Sequence, residues 1–198
     1  MATTQESILL MSDLVDYTYW LWEEALSKEF CHAALKEVDW VAFETASIVS
    51  AERTPLIDPK QRRTDVIWQD VMQPLGCIAR TYIDIANQSA GWNYAISTQE
   101  HTQIGRYKSA DEGHYDWHMD SAPPKDGVQR KLSISILLAD PSDFEGGELQ
   151  FKGMEDRKIL TKQGSIVVFP SFIEHKVAPV TKGVRYSAVT WASGPSFR

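Results

Sequence analysis

The spacing of hydrophobic side chains in the first half of the chain predicts two helices. Apolar positions recur at helical intervals over residues 27–38, where a serine is the expected N-cap, and over residues 74–91, where a proline opens the helix. Residues 17–22 are rich in aromatic side chains and predict a strand. The prolines and charges of residues 50–64 predict a loop, and residues 65–68 predict either a short strand or the lead into the second helix.

From residue 93 onward the hydrophobic pattern has a period of two, which is typical of β-strands. It predicts eight short strands, at residues 102–107, 115–120, 131–139, 148–151, 158–161, 165–169, 174–177 and 184–191. Short strands with turns between them indicate a sandwich or jelly roll, with the helices packed on one sheet. We therefore expect one α+β, mainly β domain over residues 1–198, with a helical support region over 1–92 and a jelly-roll core containing the metal site over 93–198.

The composition indicates an ordinary globular protein and argues against several partners. A chain of 198 residues, with 43% hydrophobic and 24% charged residues, suits one domain with a hydrophobic core. A net charge of −7 without a basic cluster argues against binding to nucleic acid or to a membrane surface. Neither a signal-peptide pattern nor a membrane-spanning run is recognised, so we expect a cytoplasmic protein. Cys31 and Cys77 fall in the helical segments and predict buried free thiols.

The candidate chemistry lies in three polar residues of the strand-rich half. His118 and Asp120 flank Met119, so in a strand both project from the same face. Together with His175 they provide two imidazoles and one carboxylate. That ligand set leaves three metal positions open and suits non-haem Fe(II) oxygen chemistry. Each residue alone has an ordinary structural explanation, and their combination is what indicates a metal site.

A second group of polar residues suits a second ligand. Arg185 lies ten positions beyond His175, and its guanidinium is suited to the far carboxylate of a chelating dicarboxylic acid. Ser187 shares a strand face with Arg185 and is expected to hold the same group. Trp191 lies on that face as well, and we expect it to pack in the core in preference to lining a pocket.

Three short motifs around these residues carry a resemblance to a known family. They are residues 113–120 (Gly-His-Tyr-Asp-Trp-His-Met-Asp), residues 143–149 (Asp-Phe-Glu-Gly-Gly-Glu-Leu), and the Phe169-Pro170 pair ahead of His175. Together they resemble the Fe(II)/2-oxoglutarate-dependent dioxygenase superfamily, and within it the prolyl 4-hydroxylase-like group with its small single-domain bacterial and viral members. The resemblance covers about the last hundred residues.

The resemblance implies a fold, a chemistry and a set of cofactors. The fold is a double-stranded β-helix with the metal at its open end. Fe(II) is held by His118, Asp120 and His175, 2-oxoglutarate and O2 are cosubstrates, and ascorbate is a reductant. 2-Oxoglutarate is decarboxylated to succinate and CO2 while a C–H bond of the substrate is hydroxylated. No separate acid or base residue is implied.

The resemblance also assigns residues to the cosubstrate. Arg185, with Ser187 as a further donor, is assigned to the 5-carboxylate of 2-oxoglutarate. Tyr107 matches the family tyrosine whose hydroxyl contacts the cosubstrate, although a core aromatic is an equal interpretation. The loop around Arg62 and Arg63 and the loop at residues 123–127 are candidate substrate lids, with solvated loops as the simpler interpretation.

Four functions remain for comparison. We expect hydroxylation of a proline in a peptide or protein, and the alternative is hydroxylation of a free amino acid or small metabolite. A nucleic-acid demethylase is disfavoured by the acidic charge and by Trp191, which stands where that group has a second arginine six positions after Arg185. A non-enzymatic jelly roll is disfavoured because a structural metal site has no need of open positions.

Overall fold

The computed structural model describes residues 17–39, 41–49 and 54–197, which form two α-helices and fifteen β-strands. The helices are α1 (Lys28–Lys36) and α2 (Pro74–Ser89). The strands are β1 (Trp20–Trp22), β2 (Glu44–Thr45), β3 (Ile48–Val49), β4 (Pro55–Leu56), β5 (Arg62–Arg63), β6 (Asp65–Gln69), β7 (Thr98–Gln99), β8 (Thr102–Lys108), β9 (His114–His118), β10 (Val128–Leu137), β11 (Phe144–Gly146), β12 (Leu149–Phe151), β13 (Ile166–Pro170), β14 (His175–Val177) and β15 (Val180–Pro195).

The strands form two antiparallel sheets and a separate hairpin. The larger sheet has the order β1-β13-β10-β15-β8-β6-β2, with β7 and β11 also paired to β15. The smaller sheet has the order β12-β14-β9-β5, and β3 pairs with β4. This arrangement confirms the predicted mainly β, jelly-roll class with supporting helices.

The larger sheet separates two hydrophobic clusters. Along β13, Ile166 and Val168 face the cluster that contains the buried sides of both helices, while Val167 and Phe169 face the cluster shared with the smaller sheet. This alternation follows from the two-residue period of a strand. The chain is therefore layered as helices, larger sheet and smaller sheet, and the second cluster supports the functional site.

Both helices begin where the sequence predicts. The Ser27 Oγ accepts a hydrogen bond from the Phe30 N–H at 3.2 Å and caps α1. Pro74 occupies the first turn of α2, where its missing N–H has no helical partner to lose. Among the described residues, no helix has the length and apolar character that crossing a membrane requires.

Three local expectations are wrong. Residues 158–161 form no strand: a strand would alternate its faces, whereas Ile159 and Leu160 are both buried, and Leu160 has a φ of 57°. Part of the region predicted as a loop forms β4, which pairs with the nearby β3, and β5, which pairs with the distant β9; this pairing overrides the local signals. Cys31 is buried as expected, but Cys77 is exposed on α2.

The ambiguous segment at residues 65–68 is a strand, since β6 pairs with β8 over five residues. Before residue 92 the chain supplies strands to both sheets in addition to the two helices. The division into a support region and a core stays a prediction.

Candidate metal centre and cosubstrate cavity

Two neighbouring strands of the smaller sheet bring the three candidate ligands together. His118 ends β9 and His175 begins β14, and the two residues are directly paired across the sheet. Asp120 follows β9 and is held by its N–H, which donates to the Ser171 carbonyl oxygen at 2.9 Å. One ligand atom from each residue lies within 4.8 Å of the others. The structure thus places His118, Asp120 and His175 as one cluster.

Backbone carbonyl groups fix the orientation of both imidazoles. The Nδ1 of His118 lies 2.8 Å from the Asp116 oxygen, and the Nδ1 of His175 lies 2.9 Å from the Ile173 oxygen. A carbonyl oxygen only accepts, so each Nδ1 carries a proton, and each Nε2 is the ring nitrogen directed at the cluster. Both Nε2 atoms face Asp120, at 3.7 and 3.6 Å from its carboxylate oxygens. This is the arrangement that metal-binding histidines adopt.

One buried serine contacts the Asp120 carboxylate, and a second buried serine contacts the first. The Ser133 hydroxyl donates to Asp120 Oδ2 at 2.6 Å and is itself 2.9 Å from the Ser171 hydroxyl. Burial alone would raise the pKa of Asp120, but the nearby His175 and His118 and the Ser133 hydrogen bond together hold this pKa below its usual value. The group is therefore an anionic ligand at neutral pH.

The imidazoles are buried between aromatic rings. Burial, followed by the neighbouring His175, lowers the pKa of His118 to about 3, so this ring is neutral at physiological pH. Tyr115 stacks on His118 with 3.5 Å between ring centroids and 9° between planes. Phe169 meets the His175 ring edge-on at 4.7 Å. Rigid neutral imidazoles are the ligand form that divalent metals require.

The donor set fits Fe(II). Two neutral imidazole nitrogens and one carboxylate oxygen converge at a single point, and in 2-His-1-carboxylate sites such a set leaves metal positions free for cosubstrate and O2. The cluster also lines a cavity of about 250 Å³ between the two sheets, which gives a second ligand room beside the metal.

Tyr107 and Ser187 line this cavity, and Arg185 lies behind them. Arg185 is 2% exposed and donates from Nη1 to the Ser187 Oγ at 2.9 Å. Its Cζ lies 5.4 Å from the Tyr107 ring centroid. Desolvation lowers the pKa of Arg185 from its ordinary value. The three residues assigned to the cosubstrate therefore lie together at one end of the cavity.

Trp191 is nearly buried, as core packing predicts, and it also lines the same cavity, the role that the sequence ranked second. Its indole Nε1 is buried without a hydrogen-bond partner, and the Arg130 guanidinium lies 3.9 Å from the ring centroid. Arg130 is in turn paired with Glu100 at 2.5 Å. Trp191 therefore forms part of the cavity wall and packs against the Arg130–Glu100 ion pair.

A wider groove of about 940 Å³ meets the cavity at the metal ligands. His118, Asp120 and Arg130 line both spaces. On its outer side the groove is lined by apolar side chains that include Met119 and Val128, and Met119 is 58% exposed. The metal centre therefore lies between an enclosed pocket and an open groove.

Several residues of the site were not identified from the sequence. Arg62 was assigned to a lid loop, but it lies in β5, is buried and lines the cavity. Ser133 carries no motif, although its place on the alternating strand β10 marks it as a polar residue facing inward. Gly147 belongs to the motif of residues 143–149. It also packs against the Arg185 side chain, because a Cβ at this position would lie 2.8 Å from Arg185 Cδ.

Sequence comparison agrees with this geometry. The sequence profile described as the 2OG-Fe(II) oxygenase superfamily matches residues 102–193, which include all three ligands and Arg185. Over these residues, just under half of its length, the chain is similar to this superfamily. It is an Fe(II)- and 2-oxoglutarate-dependent dioxygenase, as the motifs around His118 predicted.

Related proteins agree with this assignment. A PKHD-type hydroxylase from Synechococcus sp. (strain CC9902) is 28% identical over 171 residues, which cover 75% of this chain and 76% of the relative. Seven further bacterial PKHD-type hydroxylases are matched over 36 to 44% of their length, less than half of each relative.

Two solved structures share the fold. The crystal structure of a Pseudomonas putida prolyl-4-hydroxylase has a TM-score of 0.68 at 20% identity and covers 95% of this chain and 98% of that chain. A Trichoplax adhaerens prolyl hydroxylase, in complex with a hypoxia inducible factor oxygen degradation domain peptide fragment, has a TM-score of 0.65 at 20% identity. This match covers 95% of this chain and 89% of that chain.

Proposed function

We propose that this dioxygenase hydroxylates a proline in an extended segment of a peptide or protein, at C4 of the ring. 2-Oxoglutarate is decarboxylated to succinate and CO2 in the same reaction. The observation that carries the proposal is the open groove of about 940 Å³ that reaches the metal ligands from outside. An extended chain lying in such a groove can present one side chain to an enclosed centre.

The ligand residues have defined roles in this proposal. His118, Asp120 and His175 hold Fe(II), which, when bound, supplies the oxidising chemistry that breaks a C–H bond. The Asp116 and Ile173 carbonyl oxygens keep the imidazoles aimed at the metal.

The cavity residues hold and shield the cosubstrate. Arg185 and Ser187 bind the 5-carboxylate of 2-oxoglutarate by charge-assisted hydrogen bonds. Tyr107 lies beside them and faces the same ligand. Trp191 and Phe169 close the cavity and exclude water from the reacting centre.

Apolar side chains favour a proline-containing target. Met119 and Val128 are exposed at the groove, and Pro123 lies beside them. Proline-rich segments are extended before binding, so little conformational entropy is lost when one lies along an apolar surface. The peptide in the Trichoplax adhaerens complex supports this class of substrate.

Mass spectrometry of a proline-rich peptide panel tests the proposal. Incubation with Fe(II), 2-oxoglutarate and O2 is expected to add one oxygen to proline and to form an equal amount of succinate. Asp120→Ala is the matched inactive control, since it removes the anionic ligand. Oxygen addition to another residue type, or to no peptide at all, would contradict the peptidyl-proline assignment.

A free amino acid or small metabolite is the second candidate. The observation that favours it is Arg62, a buried cation at the cavity without a carboxylate partner among the described residues.

Ascorbate as reductant, a cytoplasmic location and the exclusion of nucleic acid stay predictions.

A further inference from the structure

Two arginines are buried in the part of the chain that the structure describes, and both lie at the metal cavity. Arg185 is 2% exposed and Arg62 is 8% exposed. Among the described residues, the direct contacts of both are to neutral groups, and Glu148 acts on Arg185 only at longer range. A buried cation without an anionic partner is destabilising, and it is retained where a ligand supplies the missing charge. The 5-carboxylate of 2-oxoglutarate accounts for Arg185 and leaves Arg62 unexplained.

Arg62 uses only part of its hydrogen-bonding capacity. Its Nη2 donates to the Gln103 side-chain oxygen at 2.5 Å, and its Nη1 donates to the Ser47 carbonyl oxygen at 3.4 Å. Its Nε is buried without an acceptor. Because a guanidinium carries five N–H donors, each terminal nitrogen keeps a second N–H for another group.

Aromatic stacking fixes Arg62 next to the metal ligands. Its Cζ lies 4.5 Å from the Tyr115 ring centroid, and Tyr115 itself stacks on His118 at 3.5 Å. Arg62, Tyr115 and His118 all line the cavity of about 250 Å³. The guanidinium is therefore separated from a metal-binding imidazole by a single ring.

The neighbouring residue, Arg63, lies in a different environment from Arg62. Arg63 projects from the opposite face of β5 and pairs with Glu112 at 3.0 Å, at a partly exposed site. One arginine of the pair is thus neutralised at the surface, while the other is buried and lacks a counter-charge.

We propose that Arg62 forms a subsite for a carboxylate of the substrate, with Gln103 fixing the guanidinium. The inference rests on the proposed function for its dioxygenase chemistry and adds that the target carries a carboxylate close to the hydroxylated carbon. A carboxylate neutralises the buried charge and accepts the unused N–H groups, whereas an amide carbonyl leaves the charge in place. The carboxylate belongs either to an acidic side chain beside the target residue of a peptide or to a free amino acid.

Binding of matched probe pairs tests the proposal. One pair is L-proline and L-prolinamide, and the other is a short proline peptide with either glutamate or glutamine next to the proline. Affinities are measured by calorimetry on the enzyme loaded with Mn(II) and 2-oxoglutarate, which binds without turnover. The carboxylate member of at least one pair is expected to bind ~10- to ~100-fold more tightly than its amide partner.

Comparison of the wild type with three variants distinguishes a carboxylate subsite from a structural role for Arg62. Arg62→Gln is expected to abolish the preference for the carboxylate member and to leave 2-oxoglutarate affinity unchanged. Arg62→Lys keeps the charge and is expected to retain part of the preference, and it carries the test if the glutamine variant does not fold. Arg63→Gln is the matched control and is expected to bind both members as the wild type does.

Each outcome of these binding measurements either supports or overturns the proposed Arg62 subsite. The pair that shows the Arg62-dependent preference identifies the source of the carboxylate. A wild type without preference in either pair overturns the proposal, and so does an Arg62 variant that weakens both members equally. Weakened 2-oxoglutarate binding in Arg62→Gln also overturns it, because Arg62 would then belong to the cosubstrate site. The peptidyl-proline assignment fails separately if prolyl peptides gain no oxygen, and an Arg62-dependent preference for L-proline would survive that failure.

Discussion

Replacement of Arg185 by glutamine is the sharpest perturbation of the cosubstrate end of the cavity. Arg185 is 2% exposed, and among the described residues its side chain donates a hydrogen bond to the Ser187 hydroxyl at 2.9 Å. Glutamine is shorter and neutral, so it removes the cation while leaving Ser187 in place. The metal ligands are untouched, since none of them contacts Arg185.

The expected loss follows from the burial of the guanidinium. Removing one partner of a desolvated ion pair costs about 3–5 kcal/mol. At 1.4 kcal/mol for each factor of ten, the 2-oxoglutarate concentration required for half-maximal activity should rise on the order of 10² to 10⁴-fold. Fe(II) affinity should remain unchanged.

Without 2-oxoglutarate, Arg185→Gln should not lower the thermal stability of the protein. Free Arg185 is a buried charge that forms no direct ion pair among the described residues, with Glu148 acting on it only at longer range, so its removal should leave the Tm unchanged or raise it. The increase in Tm on adding 2-oxoglutarate should disappear at concentrations that stabilise the wild type. Lys182→Gln is the control, because Lys182 lies on the same strand, is exposed and pairs with Glu145.

Thermal unfolding with and without 2-oxoglutarate, together with succinate formation at varied 2-oxoglutarate, provides both readouts. An unchanged requirement for 2-oxoglutarate in Arg185→Gln would refute the reasoning and move the anchor to another cation of the cavity.

Three further substitutions test other parts of the site. His175→Ala should reduce bound iron from one per chain to a trace in a metal analysis, with near-ultraviolet circular dichroism unchanged, and full retention of iron would exclude His175 as a ligand. Ser133→Ala should weaken metal binding by roughly 10- to 100-fold, and Ser133→Thr should restore part of it, because the hydroxyl holds Asp120 at 2.6 Å; equal affinities in both variants would contradict this role. Gly147→Ala should lower the free energy of unfolding by about 1–3 kcal/mol in urea and weaken 2-oxoglutarate binding, since φ is 69° and a Cβ would lie 2.8 Å from Arg185 Cδ. A variant with wild-type values for both would show that the chain adapts to the added methyl group.

Local signals in the sequence were sufficient for the helices and most strands. The Ser27 cap and Pro74 each act within one helical turn, so their effect can be recognised without knowledge of the fold. The segment around Ile159 shows the limit of such reasoning. Its apolar residues suit a strand, but both Ile159 and Leu160 are buried by tertiary packing that a local pattern does not contain.

The residues of the site also differ in whether the local sequence identifies them. His118 and Asp120 are close in sequence and share a motif, so their role could be predicted before the structure was known. Arg62 and Ser133 acquire their positions from pairing between distant strands, β5 with β9 and β10 with β13. Nothing in the sequence near either residue indicates that partner, which is why an arginine assigned to a loop proves to be buried.

Anaerobic titration of the purified protein with Fe(II) and then 2-oxoglutarate tests the central claim most directly. Chelation of Fe(II) by a 2-oxo acid gives a visible absorption band, so binding is observed without knowledge of the substrate. We predict a band that saturates at one Fe(II) and one 2-oxoglutarate per chain, is lost in Asp120→Ala and requires far more 2-oxoglutarate in Arg185→Gln. Iron binding without the band, or a band that persists in Asp120→Ala, would contradict the account.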